Sequence, residues 1–560
     1  MFGLSSGDVL DRVFGYVLAL QFVLGSLLGL ETLGVVYHPN IHRASHTMTF
    51  SAGFDLSWPL MVLLAAWTSY YVVKRDHRRL LVLCFLGVGL FDLELGVLVA
   101  SWAALLVGVH GLGDYRGVLE SFLWIVSLAN GLAVLHYAVL VPVWGGSFLE
   151  GFALLQLRVH YVLAHLSPLL VLPFLYFWVL KPLIGTGFRL PELCVGRSGF
   201  TRFNVLMIVF SLYLSVVAAI YPYFPSVNPD GVGVGVDIPH YVRDVNSIVG
   251  GESSIFEVAG GSKIFFYVFY FCFKWVTGLS VEAAVRFLPV VFNPLLVASM
   301  CFFAWEVFGN GDVVAWGGFL TSTGLNMTVG MYAYFLSNSL GLVLAFGSLG
   351  FLFRYLKRRD VSLFWVSSVL GALLVFTHPW TMDQYILSLV PLVFLLWWRK
   401  PVGFMDKILG LTYYIVVVFL AEMVKVLVFG GLGGAGATST AFKHLTELAG
   451  FWASSLFSFH YLYGGYMSHC LLFILAFIGV LIMRADGESE YYLLSLLFLS
   501  SLVFFLSDET TKSRLLYNIP LGLFSSVALA LLNRRCSLSV YFLVFFNSLF
   551  YLFMSLNNLV

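Results

Sequence analysis

Charge is scarce in this sequence: 30 Lys and Arg and 29 Asp and Glu among 560 residues leave 11% charged side chains, against about 25% in soluble domains. That scarcity excludes a soluble domain of any size. The two signs nearly cancel, at a net +1, so there is no basic surface for nucleic acid and no polybasic membrane-surface patch. Cysteine is scarce as well. Cys84, Cys194, Cys272, Cys301, Cys470 and Cys536 are scattered, mostly inside apolar runs, without a C-x-x-C pair or a His/Cys cluster at zinc spacing. They read as buried hydrophobes. Residues 1–12 lack a basic stretch, with Asp8 and Asp11 against Arg12, so no cleaved leader is expected and the first span should stay in the chain. No sequence repeat links the two ends of the chain.

Apolar sequence is what the chain has in abundance, with 60% hydrophobic residues and 54 Phe. Runs of about 20 apolar residues recur from end to end, and hydrocarbon offers no water to exposed backbone groups, so each run is expected to be a helix. The fold class is therefore all-α: a polytopic protein of the cell membrane with roughly 15–16 transmembrane helices.

Basic clusters mark the cytoplasmic side. The firmest is Arg354-Tyr-Leu-Lys-Arg-Arg359, followed by Arg399-Lys400, Arg484 and Arg534-Arg535. Keeping all of these on one side gives spans near 204–221, 285–307, 313–330, 331–353, 361–378, 380–397, 407–428, 465–483, 489–507, 517–533 and 538–557. The opposite, extracytoplasmic side then receives the loop holding Asp237, the His378-Pro379-Trp380 turn, the Gly-rich loop 430–463 as a lid or acceptor-side wall, and the segment from Asp508 to Arg514. The stretch from Lys263 to Val276 is apolar but short and reads as interfacial.

The linker Lys181 to Arg202 separates an N-terminal transmembrane module, 1–190, from a second module, 191–560, whose outer loop covers 223–284. The first module has about five apolar stretches. Three of them lie between Lys74-Arg-Asp-His-Arg-Arg79 and Lys181, where an even number is needed to keep both basic clusters inside. Either one stretch is re-entrant or the basic rule is broken at Lys74.

In so apolar a chain, the polar island Gly231-Val-Gly-Val-Gly-Val-Asp237-Ile-Pro-His240-Tyr241-Val-Arg243-Asp244 is where chemistry is first sought. An acid follows the outer end of a span with a tyrosine four residues on, an interfacial segment comes next, and Gly278-Leu-Ser-Val-Glu-Ala-Ala-Val-Arg-Phe-Leu-Pro289 leads into a further span. The short inside turn Asn310-Gly-Asp312 and paired spans ending at Arg354 complete the order. This order resembles the GT-C superfamily of polyprenyl-phosphate-sugar-dependent integral membrane glycosyltransferases, over about residues 204–560.

The resemblance implies interfacial helices in the first outer loop and transfer of a sugar from a polyprenyl-phosphate donor to a glycan, lipid or protein acceptor outside the cytoplasm. The family's outer loop holds one or two adjacent acids as catalytic base or metal ligands. Asp237 matches the first position, and Ile238 stands at the second, which disfavours a divalent metal. No metal ligand set is assigned. Deprotonating an acceptor hydroxyl calls for a carboxylate, and the departing lipid phosphate calls for cations or hydrogen-bond donors. Asp237 is the expected base. Arg514 leads the phosphate candidates, because guanidinium grips phosphate bidentately, followed by Lys512, His378, Arg243 and Lys263. His240, Tyr241 and Asp244 are further site candidates, and Asp244 reads as structural.

Asp92 and Glu94 lie within an apolar stretch, where a charge costs roughly 2.5–3.5 kcal/mol or more, and Arg158 is their natural partner. They read as an ion pair within the first module, or as the path of a transporter or lipid-linked glycan flippase. That second function class competes with the transferase, as does a non-catalytic membrane scaffold. His38, His42 and His46 would share a face if their segment were helical. Glu422 and Lys425 read as a structural i, i+3 pair, and Asn326-Met-Thr328 as an unmodified glycosylation pattern.

Overall fold

The computed structural model describes residues 34–40, 44–49, 195–429 apart from 261 and 402, and most positions from 472 to 559. The calls on Asp92, Glu94, Arg158, His42 and loop 430–463 lie outside the described residues, as does the side chain of Lys512. One compact unit comprises Cys194–Ser454, Arg484–Ala530 and Leu552–Val560, and it holds most of what is described. The other unit contains the antiparallel hairpin β1, Gly34–Asn40, and β2, Ala44–Thr49, with Tyr37 opposite His46. His38 and His46 therefore lie on two different strands, so the condition of a shared helix is not met for them.

Elsewhere the described elements are helical, and five stretches are long and apolar enough to cross a bilayer: Arg202–Tyr223, Val281–Phe308, Leu336–Arg358, Pro379–Arg399 and Phe404–Phe429. The chain is a helical membrane protein. In order the helices of the larger unit are α1 Arg202–Ile220, α2 Ile238–Val249, α3 Ile255–Ala259, α4 Ile264–Thr277, α5 Val281–Phe287, α6 Pro289–Phe308, α7 Gly311–Thr323 and α8 Leu325–Ala333. They continue with α9 Leu336–Arg358, α10 Val361–Val375, α11 Pro379–Leu387, α12 Leu389–Arg399, α13 Phe404–Phe429, α14 Glu488–Leu506, α15 Glu509–Asn518 and α16 Leu521–Leu532; α17 Leu538–Asn557 follows, assigned to the other unit up to Tyr551.

Short polar side chains start these helices by taking orphan amides. Thr201 accepts from Asn204 N at 3.2 Å, Asn310 from Asp312 N and Val313 N at 2.9 and 3.1 Å, and Asp360 from Ser362 N at 2.9 Å. Ser254 and Glu257 form a capping box. α4 has 14 residues, about 21 Å of helix against the ~30 Å of a hydrocarbon core, and Trp275 at its end is 86% exposed. Cys272, also on α4, is exposed, contrary to the reading of the cysteines as buried, whereas Cys301 is buried.

Three expected outlines change. The span 313–330 is broken at Gly324, whose extended backbone separates α7 from α8. The span 361–378 stops at Val375, because Thr377 and His378 turn the chain ahead of Pro379. The segment read as an outer loop through Arg514 is helical, as α15.

On α13 the buried residues Leu411, Tyr414, Val418, Glu422 and Lys425 recur at three- and four-residue steps, while Tyr413, Val416, Phe419, Leu420 and Met423 are exposed. Such an apolar exposed face suits lipid. Tyr414 hydrogen-bonds Ser348 at 2.6 Å, and the absence of a side chain at Gly371 admits it: a Cβ there would lie 2.7 Å from its hydroxyl.

Candidate functional site

The Asp237 loop is fastened before it reaches α2. Val236 N and Asp237 N donate to the carbonyls of Tyr332 and Ala333 at 2.9 and 3.3 Å. Gly235, at φ +130°, packs against Tyr334, where a Cβ would come within 2.5 Å of the ring. Tyr334 is buried and left-handed at φ 61°, and its hydroxyl donates to the carbonyls of Val285 and Arg286 at 2.9 and 2.8 Å. A bulky residue held in that backbone region stores strain.

Asp237 occupies the N-cap position of α2 and makes no capping hydrogen bond. Its carboxylate stays available. One turn on, Tyr241 is buried, its hydroxyl 3.3 Å from Ser337 Oγ and its ring 5.7 Å from Lys263 Nζ.

Lys263 precedes α4, and Phe265 N donates to the Phe376 carbonyl at 2.9 Å, which joins this end of α4 to the turn carrying His378. His378 caps α11, with Nδ1 3.3 Å from Thr381 N and 2.8 Å from Thr381 Oγ1. Arg514 lies on α15, which Asn518 and Tyr517 anchor. The Asn518 carbonyl accepts from Tyr385 at 2.5 Å, and the Tyr517 hydroxyl meets Ser339 Oγ at 2.9 Å.

Asp237 and His378 each lie within electrostatic range of Lys263 and Arg514. Burial raises the Asp237 carboxyl above its usual range, and Lys263, His240 and Arg514 each pull it back down. Burial also holds His378 well below the ordinary imidazole range, and the same Arg514 and Lys263 lower it further. Both cations are thus felt by both groups. His378 is neutral at physiological pH. Toward a phosphate it would bring no charge.

The remaining candidates fall elsewhere. Arg243 is exposed and pairs with Asp244 at 3.7 Å and with His240 at 3.4 Å. Asp244 accepts from the Tyr267 hydroxyl at 2.9 Å. Asn326 donates to the Tyr517 carbonyl at 3.1 Å. The residues around Asp237 suit an anion better than a divalent cation: Ile238 is buried at the second acid position, and Lys263 and Arg514 both act electrostatically on the carboxyl.

Reading the sequence alone missed Asn338, Thr381 and Asn518, which interlock beside His378. Thr381 Oγ1 donates to Asn338 Oδ1 at 2.6 Å and accepts from Asn518 Nδ2 at 3.4 Å. It also missed Asp383, which lies close enough to Glu422 and Lys425 to interact with both, alongside their own ion pair at 2.6 Å. The signal was there as two polar runs in apolar surroundings, Ser337-Asn-Ser339 and Thr381-Met-Asp-Gln384.

Compared with protein-family models and with curated proteins, the sequence matches none.

Proposed function

We propose that the chain is an integral membrane glycosyltransferase of the GT-C type that takes a sugar from a polyprenyl-phosphate donor and passes it to an acceptor on the extracytoplasmic side. The observation that carries this reading is the convergence of an uncapped carboxylate, Asp237, with Lys263, Arg514 and neutral His378. Asp237 takes the proton of the acceptor hydroxyl as its oxygen bonds the anomeric carbon. The bond from that carbon to the phosphate oxygen breaks, and the phosphate leaves with the electron pair. Lys263 and Arg514 stabilise the charge it gains. A burial-raised carboxyl is a better base near neutral pH than an ordinary one.

The test is release of polyprenyl phosphate from polyprenyl-phosphate hexoses by the full chain in nanodiscs, with membrane extract supplying acceptors. Asp237→Asn is expected to lower the rate by about 10²–10⁴-fold, the usual worth of a general base, with its thermal melt unchanged. An unchanged rate would remove Asp237 as the base, and no release from any donor would remove the reading.

A further inference from the structure

Thr381 Oγ1 has one proton, given to Asn338 Oδ1, and accepts one from Asn518 Nδ2. Each amide therefore keeps its other atom. Asn338 Nδ2, a donor, and Asn518 Oδ1, an acceptor, are buried and have no hydrogen-bond partner among the described residues. One turn along α11, Gln384 gives its NH₂ to Ser500 Oγ at 2.9 Å and to the Leu515 carbonyl at 3.1 Å, so Oε1 is a second buried acceptor without a partner. All three side chains are at most 4% exposed. Buried polar atoms are almost always satisfied in proteins, so three together on one seam point to a ligand or solvent group.

The seam is continuous with the Asp237 cluster. Thr381 touches His378, Asn338 follows the Ser337 that meets Tyr241, and Asn518 lies four residues after Arg514, on the same side of α15. The chemistry of the two parts differs. Lys263 and Arg514 offer positive charge, whereas the seam offers one neutral donor and two neutral acceptors. A phosphate or carboxylate brings only acceptors and would be repelled by Asn518 Oδ1 and Gln384 Oε1. A hydroxyl both donates and accepts, and so matches the mixture.

We propose that Asn338 and Asn518, with Gln384 behind them, read hydroxyl groups of the donor's neutral sugar and so determine which sugar is accepted, while the cations hold the phosphate. This rests on the glycosyltransferase reading and adds a specificity site to it.

The experiment measures binding to the full chain in nanodiscs of a short-chain isoprenyl phosphate and of its glucose, mannose and galactose esters. The wild type is expected to separate the three esters. Asn338→Leu, which removes the donor, and Asn518→Leu, which removes the acceptor, are each expected to weaken the preferred ester about tenfold or more. Both should bind the bare isoprenyl phosphate within about twofold of wild type, which also reports a folded site. Asn338→Ala serves as a second test of the donor should the leucine variant not fold. Equal affinity of the wild type for all three esters, or variants that keep its preference, would overturn the proposal and leave the transferase reading standing. Failure of the wild type to bind even the bare phosphate would overturn the transferase reading and this one with it.

Discussion

Two opposed influences act on Asp237: burial raises its pKa, and Lys263, His240 and Arg514 lower it, with burial the larger. Catalysis needs the ionised form, so activity is lost as pH falls through the raised value, at a higher pH than an ordinary carboxylate would give. Lys263 is the strongest of the three lowering groups. Replacing it, as in Lys263→Gln, is expected to raise the pKa further and move the acid limb of kcat/KM to higher pH. A limb that stays in place would mean that the ammonium does not act on the base. Asp237, Lys263 and Arg514 were legible in the sequence because charge is so rare in it. Arg243 was equally visible, and only its exposure, with Asp244 and His240 as partners, separates it from the site. Asn338, Thr381 and Asn518 escaped notice because neutral polar residues in apolar helices commonly serve packing. Their meaning lies in partners 43 and 137 positions apart along the chain.

At the scale of elements, the placement of Asp237 depends on a loop fastened to the α8–α9 junction by two backbone hydrogen bonds and by Gly235 against Tyr334. The three glycines of Gly231-Val-Gly-Val-Gly235 read as a flexible or extended loop. Only at the last does close approach to a ring forbid a side chain. No sequence signal marked Tyr334, since its left-handed backbone is imposed by tertiary contacts on a residue that ordinarily avoids it. Gly235→Ala is expected to destabilise the chain by about 1–3 kcal/mol, the usual cost of overpacking, and to reduce activity more than the shift in thermal melt alone explains. A variant with wild-type melt and activity would show that the loop does not hold Asp237 in place. The broken span at Gly324 and the helix carrying Arg514 were missed because apolar runs specify helix but not where it breaks.

Across the larger unit, α9 separates two polar ends. Its 23 residues run from the Ser337 contact with Tyr241 to the basic cluster, about 33 Å along the axis and close to the thickness of a hydrocarbon core. At the far end Arg354 binds Glu306 at 2.6 Å, Lys357 donates to the Glu306 carbonyl, and Lys407 pairs with Glu488. The cationic cluster that the basic-residue rule assigns to the cytoplasm is thus tied down a membrane's width from Asp237. This separation was legible, because span length and basic clustering follow from the solvent and not from detailed packing. The glycosyltransferase proposal turns on receipt of a lipid-linked phosphate at the end with Asp237. Its most direct test is the affinity of a short-chain isoprenyl phosphate for the full chain in nanodiscs, compared with Lys263→Gln and Arg514→Gln. Each substitution is expected to weaken binding by roughly ten- to a hundredfold, the worth of a charge-assisted hydrogen bond, while Arg243→Gln binds as the wild type does. Equal affinity in all four proteins would show that Lys263 and Arg514 do not hold the phosphate.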